Sequence, residues 1–342
     1  MMLDRSECQV LRGLAIFSIF MHNFCHLLKW AAHENEFSFL SENVVCFWDS
    51  LHSKYFIVHL FSYLGHLGVP VFVFLTGYGL AIKYSNPHHP ATGGLSFLTA
   101  HYKKLFFPML LGVVIFYLVY YLLHAGFWDG WKVSLITQLT MTGNFMSHPN
   151  IVIIPGPYWY FGLTMQLYVI YRLVVCRSKW VFLSLVVLSI AILGIQESHV
   201  YRLMWLKYNS IGWLIPFSIG LVLGKKQIHF SLSLPVWLMG AMGSAALVFW
   251  SGNNYYTWLI TPLFALLFFV CLCKLLKGFV YRGFEFLGGI SMYVFIVHPI
   301  VREVILTWSP FALLSLNLLL YIVAVILLAW LSARCALLLK HK

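Results

Sequence analysis

Charged side chains are scarce in this sequence. Only 9% of its 342 residues are Asp, Glu, Lys or Arg, whereas a soluble domain is roughly a quarter charged. Hydrophobic residues make up 61% of the chain, and a water-soluble core cannot enclose that much apolar surface. Polar stretches long enough to form a separate soluble domain are missing as well. We therefore expect a single membrane-embedded domain over residues 1–342.

The sequence also lacks a cysteine pattern typical of disulfides or metal sites and a dense stripe of basic residues. The seven cysteines fall mostly in or beside apolar runs and show no metal-ligand spacing, so neither a disulfide framework nor a metal cofactor is expected. The net charge is +12, yet the basic residues occur as scattered pairs and never as a dense stripe. Nucleic acid is therefore not an expected partner.

Long apolar segments fill most of the chain. They lie near residues 10–30, 56–83, 105–124, 157–175, 180–195, 208–224, 229–250, 257–276, 287–306 and 311–333. This pattern predicts an all-α fold, a polytopic integral membrane bundle of about ten transmembrane helices.

The distribution of charge gives the expected orientation. With the N-terminus inside, most of the 22 Lys and Arg residues fall in cytoplasmic loops and ends, as the positive-inside rule requires. Both termini are then cytoplasmic, and we expect a multi-pass protein of the cell inner membrane. Asp4 and Glu7 precede the first segment and no small-residue cleavage site follows it, so this segment is expected to stay in place.

Ionisable groups inside apolar segments are the most informative residues, because burying them in hydrocarbon costs several kcal/mol without a partner or a cavity. The first segment carries Arg12 at its inner end and His22, Asn23 and His26 deeper in. Residues four apart share a helix face, so the two histidines lie on one side. The two histidines either belong to a polar track in which an imidazole accepts a proton, or they are ordinary buried histidines whose hydrogen bonds are made to carbonyl groups.

Two later segments carry related signals. The second has glycines at 65, 68, 77 and 79 around Pro70, which indicates either a packing seam or a cavity wall. The ninth places His298 directly before a proline, well inside an apolar run.

Five motifs in these segments resemble the acyltransferase 3 family of membrane acyltransferases, which O-acetylate bacterial surface glycans and related acceptors. The motifs are Arg12 to His22, Gly68 to Tyr78 (GVPVFVFLTGY), the pair Lys103 and Lys104 leading to Pro108, Pro157 to Phe161 (PYWYF), and Gly289 to Pro299. Two details depart from the family pattern. Nine residues rather than ten separate Arg12 from His22, and Thr76 stands where Ser is usual.

The resemblance implies transfer of an acyl group, often acetyl, from cytoplasmic acyl-CoA to a hydroxyl of a carbohydrate or lipid-linked acceptor outside. The resemblance also implies that Arg12, Lys103 and Lys104 bind the phosphates of the acyl-CoA donor.

The reacting groups would be histidines. His22, or His26 because of the altered spacing, would act as general base, Asn23 would stabilise the oxyanion, and His298 would assist. Tyr158, Trp159 and Tyr160 would stack on a sugar or anchor at the bilayer interface.

Two other classes remain open at this point. Intramembrane histidines beside a helix broken by Gly and Pro would also suit a proton-coupled transporter or flippase. The inverted repeats typical of such transporters are not visible in the sequence. A membrane binding or sensory protein without chemistry is the third class.

Overall fold

The computed structural model describes residues 3–84, 93–195, 200–226 and 232–340, and all its regular secondary structure there is helical. The predicted all-α fold is confirmed. The α-helices are α1 (Arg5–Cys25), α2 (Ser41–Asp49), α3 (Phe56–Leu64), α4 (Val69–Tyr84), α5 (Gly94–His124), α6 (Trp131–Leu139), α7 (Pro149–Val152), α8 (Trp159–Ile170), α9 (Lys179–Ile195), α10 (Val200–Tyr208), α11 (Leu214–Lys226), α12 (Leu234–Gly252), α13 (Thr261–Leu275), α14 (Gly278–Gly289), α15 (Ser291–Trp308) and α16 (Leu314–Lys340). Short 3-10 turns join several of them.

Seven stretches among the described residues are long and apolar enough to cross a membrane. They are Arg5–Cys25, Phe56–Tyr84, Gly94–His124, Leu234–Gly252, Trp258–Leu275, Ser291–Trp308 and Leu314–Leu338. The protein is therefore a multi-pass membrane protein.

The expected count of about ten includes three further apolar segments. These contain α8, α9 and α11, which have 12, 17 and 13 residues, whereas a straight crossing needs about 20. The count of ten and the cytoplasmic position of both termini stay predictions.

Helix α1 has a well-defined beginning. The side chain of Asp4 accepts a hydrogen bond from the Glu7 backbone N–H at 2.7 Å, and the Glu7 carboxylate accepts one from the Asp4 N–H at 3.0 Å. This reciprocal pair is a capping box, which satisfies N–H groups that lack helical partners. The helix ends at Cys25, so that His22 lies in its last turn.

The second spanning stretch is interrupted. Between α3 and α4 the chain forms a 3-10 turn over Gly65–Gly68, where it packs against α1. A Cβ atom added at Gly65 would lie 2.7 Å from the Ser18 carbonyl oxygen and 2.6 Å from the His22 Cβ. The Ser18 hydroxyl also donates to the Gly65 carbonyl at 2.9 Å. Gly65 and Gly68 pack closely against α1 beside His22, as expected of a packing seam, which is one of the two predicted alternatives.

The chain divides into two compact units, each built from separate stretches of sequence. The first comprises residues 1–82, 216–295 and 313–342, and the second comprises 83–215 and 296–312. In the first, a buried apolar cluster joins α1, α4 and α13, with Leu11, Phe74 and Phe269 among its members. The expectation of a single domain over the whole chain stays a prediction.

Candidate active site

His22 is a buried polar group of the first unit. Its side chain is buried, and Nδ1 lies 3.0 Å from the carbonyl oxygen of Ser62 and 3.2 Å from that of Phe61. A carbonyl oxygen can only accept a hydrogen bond, so Nδ1 must carry the proton and donate it. In the neutral ring Nε2 then keeps its lone pair.

The end of helix α3 explains why these carbonyls face His22. The last carbonyls of a helix have no regular i+4 partner, and α3 stops at Leu64, where the 3-10 turn begins. The Phe61 carbonyl still accepts the Gly65 backbone N–H. The imidazole of His22 supplies a further donor to this helix end.

His26 lies next to His22, as the four-residue spacing predicted. It directly follows α1 as its C-cap residue, and the two rings stack with centroids 4.6 Å apart and planes 27° apart. The His66 ring stands edge-on to His22 with centroids 5.6 Å apart. Three imidazoles are thus grouped around the last turn of α1.

A carboxylate completes this group. Oε2 of Glu34 lies 3.5 Å from Nδ1 of His26, and both side chains are partly buried. Burial alone would raise the pKa of Glu34, but the contact with His26 and charge interactions with both His22 and His26 act in the opposite direction and lower it below its usual value. In its ionised form the Glu34 carboxylate can only accept hydrogen bonds.

The other predicted residues of α1 are half-buried. The Asn23 side-chain amide donates to the Ile19 carbonyl one turn earlier at 2.9 Å. Arg12 donates to the Gln9 side chain over a long 3.4 Å. Ten residues of helix rise place Arg12 about 15 Å along the axis from His22.

The aromatic motif of the second unit is mostly packed inside that unit. Tyr158 is 2% exposed, and its hydroxyl donates to the Ile296 carbonyl of α15 at 2.8 Å. Trp159 is 7% exposed, with its ring 5.8 Å from Trp213 and 5.5 Å from Tyr208 between centroids. These contacts pack Tyr158 and Trp159 inside the second unit at the start of α8. The sugar-stacking and bilayer-anchoring roles stay predictions.

Four more predicted residues also belong to the second unit. His298 is completely buried within α15, whereas Lys103 and Lys104 are exposed on α5. Tyr160 is half-buried. Solvent therefore reaches both lysine side chains.

A family model described as an acyltransferase domain, that of the acyltransferase 3 family, matches residues 6–334. The chain belongs to this family of membrane acyltransferases. No curated protein and no solved structure matches the chain significantly. The match includes the whole imidazole and carboxylate group and parts of both units, so the family predicted from the five motifs is confirmed.

Two members of this acyltransferase's polar group were not predicted as site residues. Glu34 follows the first span in the outer connection, and the sequence shows it only as one of several outer acids. His66 lies between the glycines of the second span. The rule that intramembrane ionisable residues mark functional sites would have indicated His66, but no local signal indicates Glu34.

Proposed function

We propose that this acyltransferase transfers an acyl group, in the simplest case acetyl, from cytoplasmic acyl-CoA to a hydroxyl group of a glycan or lipid-linked acceptor. The acceptor side is the outer face of the cell inner membrane. The observation that carries the proposal is the pair of carbonyl oxygens facing Nδ1 of His22. They leave Nε2 as a buried, unprotonated base, which is the group that acyl transfer to a hydroxyl requires.

The reaction needs one proton to be moved twice. Nε2 of His22 takes the proton of the acceptor hydroxyl as that oxygen bonds to the thioester carbonyl carbon. The carbon–sulfur bond then breaks, and the CoA sulfur takes the proton back from the imidazolium. The acceptor leaves as an ester and the donor as free CoA. Asn23 is the proposed hydrogen-bond donor to the oxyanion that forms between these steps.

His26 is the second candidate for the base. A carboxylate beside Nδ1 orients an imidazole and stabilises its charged form, and Glu34 occupies that position for His26. The contact is 3.5 Å, longer than the 3.0 Å contact of His22 with the Ser62 carbonyl. We therefore assign the proton transfer to His22 and give His26 and Glu34 the task of stabilising the charge that forms beside them.

The donor would be held by cations on the cytoplasmic side. Arg12 donates one long hydrogen bond, to the neutral side chain of Gln9, and Lys103 and Lys104 are exposed. Charge-assisted hydrogen bonds from these groups would bind the phosphates of acyl-CoA, and the thin pantetheine arm would reach the imidazoles. His298 is proposed to assist with the acceptor, whereas Tyr158 and Trp159 are left with packing roles.

Release of CoA from acetyl-CoA tests this function. The purified protein in lipid nanodiscs should release CoA slowly to water without an acceptor, and His22→Ala should abolish this release. CoA should be measured by chromatography, because Cys176 and Cys335 are exposed and would react with thiol reagents. His33→Ala is the matched control, since His33 is exposed.

Comparison of the variants distinguishes the two candidate bases. Loss of release in His22→Ala with residual release in His26→Ala supports the assignment. Release at the wild-type rate in His22→Ala would overturn it.

A further inference from the structure

The group around the end of α1 has the composition of a metal site. His22, His26 and Glu34 each offer one ligand atom, and the three atoms lie within 4.8 Å of one another. Two imidazoles and one carboxylate are a ligand set that zinc uses in catalytic sites, where a fourth position stays open. The two histidines come from adjacent turns at the end of α1, while the carboxylate comes from the connection that follows.

The hydrogen bonds of His22 match this assignment. A metal-bound histidine almost always donates its other ring N–H to a backbone carbonyl or a carboxylate, which sets the tautomer and the ring orientation. Nδ1 of His22 donates to the Phe61 and Ser62 carbonyls. Nε2, the ring atom that a metal would bind, therefore keeps its lone pair.

Glu34 supplies a second, independent observation. Its Oε2 atom is enclosed and has no hydrogen-bond partner of good geometry in the described part of the chain. Nδ1 of His26 lies 3.5 Å from this oxygen. A buried carboxylate oxygen normally has a partner, and a cation at this position would provide one.

We propose that His22, His26 and Glu34 bind one divalent transition-metal ion, with Zn²⁺ as the preferred occupant. Tetrahedral zinc with bonds of about 2.0–2.2 Å holds its ligand atoms about 3.4 Å apart. The widest separation among the three ligand atoms, up to 4.8 Å, must therefore shrink by up to about 1.4 Å. His26 and Glu34 can make this movement, because both lie beyond the end of α1 and are only partly buried.

Metal binding has a consequence that rests on the proposed function. Zinc bound at Nε2 of His22 occupies the lone pair that would accept the acceptor's proton. The zinc-bound protein is then inactive in acyl transfer, and zinc and the acceptor hydroxyl compete for one atom. The binding itself does not depend on the proposed chemistry.

Zinc binding is measured directly with metal-free protein in nanodiscs and ZnCl₂ in competition with a zinc-chelating dye. We expect a tightest site of one ion per chain, weakened at least about tenfold in His26→Ala and in Glu34→Gln, since loss even of an indirect partner costs about 10–100-fold in affinity. His33→Ala, next to Glu34 in sequence and exposed, should bind like wild type. Equal affinity in all four proteins would overturn the site.

Spectroscopy distinguishes this site from the free thiols of the chain. X-ray absorption of the one-zinc protein should show nitrogen and oxygen ligands with imidazole scattering, and sulfur ligands would contradict the assignment. Glu34→Gln keeps the shape of the side chain, and an unchanged gel-filtration profile of this variant shows that lost binding is not lost folding.

A further measurement distinguishes failure of this inference from failure of the proposed function. Zinc should inhibit CoA release by the wild type, EDTA should restore it, and Glu34→Gln should need at least about tenfold more zinc. Zinc that binds without inhibiting would leave the metal site standing and overturn His22 as the base. A protein that loses activity in His22→Ala but binds no zinc would overturn the metal site alone.

Discussion

Replacing Gly65 with alanine would disturb the site through a single added atom. Gly65 has φ −64° and ψ −25°, which alanine adopts without strain, so the effect comes from space alone. The added Cβ would lie 2.6 Å from the His22 Cβ and 2.7 Å from the Ser18 carbonyl oxygen, about 1 Å closer than van der Waals contact between carbon atoms allows.

The size of the expected effects follows from this overlap between the added Cβ and its neighbours. Overpacking of this kind costs about 1–3 kcal/mol of unfolding free energy. A shift of about 1 Å in His22 would also lower the rate of CoA release by about 100-fold, because catalysis depends steeply on position. Both effects should appear together in Gly65→Ala, measured by denaturant unfolding in micelles and by chromatography of released CoA.

Gly79 in α4 is the matched control. It is exposed, and an added Cβ would meet nothing within 4 Å among the described residues. Alanine there should leave CoA release unchanged and stabilise the helix by up to about 1 kcal/mol. If Gly65→Ala unfolds and reacts like Gly79→Ala, the glycine turn does not pack closely against α1, and Gly65 does not hold His22 in position.

Three further substitutions test separate parts of the molecule. Arg12→Ala should weaken acetyl-CoA binding by about 10–100-fold, since a hydrogen bond to a charged group contributes about 1.5–3 kcal/mol. Unchanged affinity in a calorimetric titration would refute the proposal that Arg12 binds the acyl donor. Tyr158→Phe removes the donor to the Ile296 carbonyl and should lower the free energy of unfolding by about 1 kcal/mol, while the rate of CoA release stays the same. Lost release with unchanged stability would instead point to a role at the substrate. Asp4→Ala removes half of the capping box and should cost about 1 kcal/mol in denaturant unfolding, and a midpoint equal to wild type would show that the cap contributes nothing.

The relation between His22 and His26 was predictable because it is local. Four residues of helix bring two side chains onto one face, and the rings stack even though His26 lies just past the end of α1. The tautomer of His22 was not predictable. It depends on carbonyl groups from the end of α3, and the sequence does not show which of them face the ring.

The aromatic motif shows the opposite case. A run of Tyr and Trp beside an apolar segment is typical of a bilayer interface or a sugar site, and the sequence cannot distinguish these from a packed core. Tyr158 and Trp159 are buried in the second unit because residues from distant segments pack against them, among them Ile296 and Trp213.

The sequence by itself determined the helical membrane class and the acyltransferase 3 family, because apolar length, scarce charge and ordered motifs are properties of the chain alone. Tertiary structure decided which polar groups meet at the end of α1. Glu34 reaches His26 only when the connection after α1 folds back, and the Ser62 carbonyl reaches His22 only when Gly65 packs against α1. Such contacts depend on chain reversal and close packing, which helical periodicity does not encode.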